Sequence, residues 1–296
     1  MSTTSDLQPR QLLDVAGRLA GLATAGAELI RDGANVMYRL PHGIVARIGR
    51  VGTAETARRE IWASRWLAQS GLQVVTALDD VEQPTVVASQ PITWWRLLPP
   101  HRPATPAELG LVLRKLHALP MPSDSPFPAL DPFADLHERI GVASSVSADD
   151  IAWLQQHLAE LRAAYEQLPP GLSTRVVHGD AWQGNIAVPD DGQPVLLDLE
   201  TMSIGRPEWD LISLAVDRTD FERITANEYA DFVDTYGGHD VIAWPGFRTL
   251  ASLRELRWLS FVLNKASTNE RAAAESRHRV ACLRGEVARP WAWSAF

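Results

Sequence analysis

Three side chains between residues 176 and 200 have the types and spacing that phosphoryl transfer to a hydroxyl needs. Asp180 follows the short apolar run Val176-Val177, Asn185 stands after four intervening residues, and Asp198 closes Val195-Leu196-Leu197. Between them, Pro189-Asp190-Asp191-Gly192 has the composition of a tight hairpin turn. A carboxylate within reach of a hydroxyl takes up its proton, while an amide and a second carboxylate supply hard oxygen ligands for Mg²⁺ on nucleotide phosphates. Taken singly, Asp180 and Asn185 read as turn formers. Asp198 does not, because an unpaired carboxylate buried at the end of an apolar strand is costly. The joint pattern is what points to a phosphotransferase loop.

Phosphoryl transfer also calls for a cation on the phosphates, braced by a glutamate from a helix. No lysine precedes Lys115, so arginine must supply it. Arg47, inside the strand-like Ile44–Ile48, is the candidate, with Glu60 of the next helix as its partner and Glu55 as the second choice. Arginine grips phosphate bidentately and stays charged; the plain alternative is an exposed strand arginine in a surface ion pair. Gly33, in the turn before two strands, is a candidate phosphate-loop glycine, although one glycine is a weak motif. The pair Trp94-Trp95, and Leu97 after it, are candidates to wall a nucleotide base, against the commoner fate of tryptophan as core. Trp182 and Glu200 are candidate acceptor contacts. His178 fits a residue that orients the loop through backbone hydrogen bonds, and Asp210 one that braces it.

The elements that must position these groups are legible in outline. Residues 1–7 are polar and expected to fray. Pro9–Ile30 carries apolar residues near helical spacing, and Arg31–Asn35 reads as a turn into the strands Val36–Leu40 and Ile44–Ile48. Thr53–Ser70 predicts a helix with Thr53 as its cap and Gly71 as its stop. Val74–Leu78 and Thr85–Ala88 look like further strands. Leu97 to Pro103, with Pro99-Pro100, marks a boundary near residue 98. Beyond it, helices are predicted over 106–119, 131–141, 149–168, 226–235, 246–264 and 270–284, interrupted once by the hairpin carrying the acids. The proline-rich stretch 120–132 is read as a loop anchored by Phe127 and Leu130. The expected class is α+β: residues 1–98 form a small sheet-bearing lobe for nucleotide, and 99–296 a larger, mainly helical lobe for catalysis and substrate.

At 296 residues, 46% apolar, the chain is long enough for two modest cores. A formal net charge of -8 excludes non-specific nucleic-acid binding as the main activity. The single cysteine, Cys282, allows no intrachain disulfide, and Leu12–Ile30 is broken by charges, so a cytoplasmic protein without membrane partner is expected.

With these residues in place, the chain resembles the aminoglycoside phosphotransferase (choline/aminoglycoside kinase-like) family. The resemblance rests on Val177-His-Gly-Asp180-x-x-x-Gly-Asn185, Leu197-Asp198-Leu-Glu200 and Pro207-x-Trp-Asp210-Leu, supported by Arg59-Glu60 with Trp66-Leu67 and by Leu113-Arg-Lys-Leu-His117. It implies a protein-kinase-like two-lobed fold, ATP with Mg²⁺, and transfer of the γ-phosphoryl to a small-molecule hydroxyl. By motif position Asp180 would be the base, Asn185 and Asp198 the metal ligands, and Arg47 with Glu60 the phosphate anchor. The chain departs from the family at Arg47, where lysine is usual, and at Leu199, where an aromatic often separates the acids. The acceptor is expected among aminoglycosides, amino sugars and other small metabolites or antibiotics. Acids outnumber arginines between Asp198 and Asp240, which suits a cationic acceptor, or else reflects solvated helix faces. Two other classes compete: an inactive kinase fold that senses nucleotide or metabolite, and a metal-dependent hydrolase using His178, Asp180 and Asp198.

Overall fold

The computed structural model describes residues 7–33 and 35–296. The expected fraying of residues 1–7 therefore lies, Leu7 aside, outside the described residues, as does Ala34 of the first turn. The chain packs as two compact units, one of residues 1–105, 118–128 and 183–202, the other of 106–117, 129–182 and 203–296. The first unit thus gathers more than a single cut near residue 98 would give it.

The first unit is built on an antiparallel five-stranded sheet in the order β1-β2-β3-β5-β4. Its strands are β1 (Glu28–Asp32), β2 (Val36–Leu40), β3 (Ile44–Ile48), β4 (Thr85–Val87) and β5 (Gln90–Arg96). Helix α1 (Pro9–Ala20) covers one face, where Leu12, Leu13 and Ala16 pack with Tyr38, Ala46, Ile48, Ile92 and Trp94. The long helix expected to reach Ile30 stops ten residues earlier. Gly21 adopts φ 70°, ψ 23°, the left-handed conformation that ends helices at low cost in glycine. Glu28–Asp32 then joins β2 as an edge strand exposed throughout, so no alternation reveals it. Strand β5, the one between β3 and β4, is an addition to the predicted elements; Pro91 near its start is tolerated there.

Helix α2 (Ala54–Gln69) buries Ala57, Glu60, Ile61, Ser64 and Leu67 at helical spacing. Thr53 stands at its N-cap, but its hydroxyl donates to the Arg50 carbonyl instead of capping (2.8 Å). Trp62 and Trp66 stack at 5.8 Å and meet Phe127 edge-on, which anchors segment 118–128 as expected. Val74–Leu78 forms isolated bridges rather than a full strand: Val74 to Leu196 and Ala77 to Trp95. Ser64 Oγ holds that segment by accepting from the Ala77 N–H (3.1 Å) and donating to the Val75 carbonyl (2.6 Å). Short strand β6 (His101–Pro103) pairs with β8 (Ile186–Pro189), which pairs with β9 (Val195–Leu196), counting β7 (Arg175–Val177) as the strand before them. Backbone bonds Val75 N–H to Leu196 O (2.9 Å) and Leu196 N–H to Gln73 O (3.0 Å) fasten the β8–β9 hairpin to the first unit.

The second unit is mainly helical: α3 (Pro106–Ala118), α4 (Leu136–Gly141), α5 (Ala148–Glu166), α6 (Glu208–Thr219), α7 (Ala226–Tyr236), α8 (Phe247–Ala266) and α9 (Glu270–Leu283). Helix α4 is shorter than its predicted 131–141, since Asp131 instead closes a turn onto the Phe133 N–H (2.9 Å). Strand β7 pairs antiparallel with β10 (Ser203–Gly205). Helices α6 and α8 pack together, and Leu211, Val216, Leu250 and Leu253 on them are fully buried. No described helix is long and apolar enough to cross a membrane.

Candidate functional site

In the first unit, the strand register places Arg47 opposite Met37 on one side and Thr93 on the other, in the middle of β3. Its Nη2 meets Glu60 Oε1 at 2.6 Å. Glu60 is 1% exposed, and its Oε2 is a buried oxygen without a hydrogen-bond partner. Burial pushes the Glu60 carboxyl up to about 7; Arg47 opposes this, while Glu200 and Asp198 add to it. Glu200 sits beyond Arg47, 3.9 Å from its Nη2, and 3.6 Å from Nη2 of Arg50. These groups line a small polar recess with Asn35, Thr53 and Thr56. The expected pair Arg47–Glu60 thus forms, and the second choice, Glu55, pairs with Arg58 instead.

The other first-unit candidates stand on separate elements. Asn185 ends a 3₁₀ turn (Gln183–Asn185), and its carbonyl accepts from the Leu197 N–H at 2.9 Å, which ties the amide residue to the strand leading to Asp198. Asp198 is exposed, contrary to the expected burial: β9 ends at Leu196, and the chain turns out two residues later. Its φ of 51° is left-handed, a conformation rare outside glycine and commonest in Asn and Asp. Gly33 lies in an exposed turn where an added Cβ would meet nothing nearer than Arg31 Nε at 3.5 Å. Trp94 and Trp95 point to opposite faces of the sheet: Trp94 is fully buried beneath α1, so only Trp95 remains of the tryptophan pair read as a pocket wall. Trp95 packs with Val45, Ile61 and Ala77, with Leu97 beside it.

In the second unit, the loop His178–Trp182 is braced from the first turn of α6. Asp210 is fully buried; its Oδ2 accepts from the His178 N–H (2.7 Å) and its Oδ1 from the Gly179 N–H (2.8 Å). His117 Nε2 lies 3.0 Å from Asp210 Oδ2, and its Nδ1 lies 3.0 Å from the Tyr236 hydroxyl. Burial alone would raise the Asp210 carboxyl, but His117 and His178 outweigh it and hold it below the usual range. Trp209 Nε1 donates to the Gly179 carbonyl at 2.9 Å. Asp180 is about half exposed (48%) and pairs with Arg254 of α8 at 3.2 Å. Trp182 exposes 51% of its surface. Sequence reading missed Arg254: it stands 74 residues from its partner, on a helix that also carries Arg248 and Arg257, where nothing local sets it apart.

The acids between Asp198 and Asp240 are mostly committed to structure. Glu208 accepts from the Leu172 N–H, Asp217 pairs with Arg223, Asp220 with Arg248 and Arg289, Glu228 closes a capping box, and Asp240 accepts from the Tyr229 hydroxyl. These partnerships account for much of the acid excess.

An antiparallel sheet with a braced α2 glutamate, followed by a helical unit carrying the Asp180 loop, defines a kinase-like phosphotransferase fold. The profile of the phosphotransferase enzyme family (APH) matches residues 27–256, and the chain belongs to that family. No curated protein matches it in sequence. Among solved structures it is similar to a choline/ethanolamine kinase family protein from Mesorhizobium loti, at 20% identity over 94% of this chain and 95% of that one, TM-score 0.65. It is also similar to an amicoumacin kinase solved with AMP-PNP, Ca²⁺ and its antibiotic (15% identity, 95% and 94% covered, TM-score 0.72). A microcompartment-associated aminopropanol kinase aligns at 16% identity over 91% and 93%, TM-score 0.70. At such identities these likenesses speak for the fold.

Proposed function

We propose that the protein is an ATP-dependent kinase acting on a hydroxyl of a small metabolite or antibiotic. What supports this most is the Arg47–Glu60 pair, because the missing lysine was the weakest part of the sequence pattern. A strand arginine fills that place and is held by the buried glutamate at 2.6 Å. The guanidinium fork then anchors nucleotide phosphate, and Glu60 keeps it in place. In chain order, nucleotide binding falls to residues 1–98 and catalysis with acceptor binding to 99–296, with hairpin residues 183–202 packed on the first unit.

Asn185 and Asp198 are the residues that would hold Mg²⁺. Among the described residues no cluster of three or more His, Cys, Asp or Glu is arranged to hold a metal alone. That fits Mg²⁺ on a nucleotide, which takes one or two protein ligands and completes its shell with phosphate and water. The exposed Asp198 carboxylate and the Asn185 amide are hard-oxygen donors of the right kind. When bound, the ion offsets phosphate charge. Asp180 accepts the acceptor's hydroxyl proton as its oxygen attacks the γ-phosphorus; the bond from that phosphorus to the ADP oxygen breaks, and ADP leaves. Asp210 holds the loop by two backbone bonds so that Asp180 stays in place. Trp182, half exposed two residues past the base, and Glu200 are the acceptor contacts.

The named relatives act on an antibiotic and an amino alcohol, which sets the range of acceptors to try: amino alcohols, amino sugars, aminoglycosides and other hydroxylated antibiotics. The test is Mg²⁺-dependent ATP turnover against a library of such hydroxyl compounds, read by the mass gained by the acceptor. If no compound is phosphorylated and Asp180→Asn alters nothing, the reading fails. Nucleotide binding without any turnover would favour the sensor instead.

A further inference from the structure

We propose that Arg254 is a positioning residue for Asp180: its guanidinium fixes one oxygen of the carboxylate and the backbone on which that carboxylate stands. The inference rests on the kinase reading above, in which Asp180 is the base. The loop from His178 to Asn185 contains no lysine or arginine of its own. Arg254, which pairs with the base, comes from the middle of α8.

Arg254 uses its fork in two directions. Nη1 donates to Asp180 Oδ1 at 3.2 Å, while Nη2 donates to the Gly179 carbonyl at 3.3 Å and the Trp209 carbonyl at 3.2 Å. Its guanidinium carbon lies 4.2 Å from the centre of the Trp209 ring, stacked by cation–π attraction. Trp209 in turn donates its indole N–H to that same Gly179 carbonyl. One side chain therefore links the residue before the base, the base itself, and the first turn of α6.

The burial is lopsided, and that argues against a merely structural role. The Arg254 side chain is 3% exposed, whereas Asp180 is 48% exposed. Burying a guanidinium is expensive, and an apolar residue of similar size often serves stability as well or better. Here the cost falls on the arginine while its carboxylate partner still faces solvent. That arrangement suits a base held in a fixed rotamer yet open to an acceptor. Lysine cannot copy it, since a single ammonium does not span a carboxylate and two carbonyls as a planar fork does.

The experiment uses the full-length protein with Mg²⁺-ATP and water as acceptor, read as phosphate release, so no acceptor need be known. Arg254→Met should lower kcat by about 10²-fold, the scale of a misplaced reacting group, with KM for ATP unchanged. In an Asp180→Asn background the same substitution should cost nothing further, because the group it positions has lost its function. Arg254→Lys keeps the charge and should recover only part of kcat; it also stands in if the methionine variant does not fold. Wild-type kcat in Arg254→Lys and Arg254→Met overturns the proposal, as does an equal loss from Arg254→Met with and without Asp180. Should Asp180→Asn alone leave phosphate release intact, the kinase reading itself falls; normal Arg254 variants beside an inactive Asp180→Asn sink only the positioning role.

Discussion

The buried carboxylate of Glu60 makes folding stability depend on pH in a direction opposite to that of most acidic residues. Its carboxyl is pushed from 4.5 to about 7, chiefly by burial. At about 1.36 kcal/mol per pH unit, that shift corresponds to roughly 3 kcal/mol. The folded protein holds this proton more tightly than the unfolded chain does. The contribution is therefore fully present below about pH 4.5 and is lost as pH rises through about 7. Glu60→Gln removes the titration while keeping an oxygen for Arg47. Urea unfolding followed by circular dichroism at intervals from pH 5 to 8 should show the wild type losing stability relative to the variant by about 2.5 kcal/mol across the range, the rest of the shift falling below pH 5. Other buried acids, Glu255 among them, titrate alike in both proteins and drop out of the difference. Two unfolding curves that move in parallel with pH would refute the claim that burial outweighs the Arg47 attraction.

Asp210→Ala leaves the His178 and Gly179 N–H groups without their acceptor, at about 1–3 kcal/mol each; urea midpoints measure the loss, and ATP turnover should fall with it. Arg47→Ala should weaken binding of a non-hydrolysable ATP analogue at least about tenfold by calorimetry, the scale of one charge-assisted hydrogen bond; unchanged affinity removes Arg47 from the nucleotide site. Gly110→Ala would set a Cβ 2.6 Å from the Phe232 carbonyl and against the Thr235 hydroxyl. It should destabilise the second unit by about 1–3 kcal/mol, seen as a lower melting temperature without change in nucleotide affinity.

Much of this protein is written locally. The order Asp180, Asn185, hairpin, Asp198 is a matter of spacing along a few residues, so it is visible without a fold. Helices α2, α5 and α7 form close to the ranges the sequence predicts for them, 53–70, 149–168 and 226–235. What escaped is what only pairing or packing can create. Strand β1 has every residue exposed and owes its conformation to hydrogen bonds with β2, so its sequence reads as the end of a helix running into a turn. Asp198 was expected inside because it follows leucines, yet the strand ends at Leu196 and the backbone turns left-handed to carry it out. Arg47 and Glu60 could be named as partners from strand and helix order. Their 2.6 Å contact, the unpartnered second oxygen and the raised carboxyl come only from burial by the surrounding sheet and helix. Arg254 marks the far limit. An arginine 74 residues from the base carries no local signal, and only the packing of α8 against α6 sets its guanidinium on Asp180. The sequence determines which chemical groups are present and in what order; desolvation and long-range pairing, which exist only in the folded chain, decide their charge, exposure and partners.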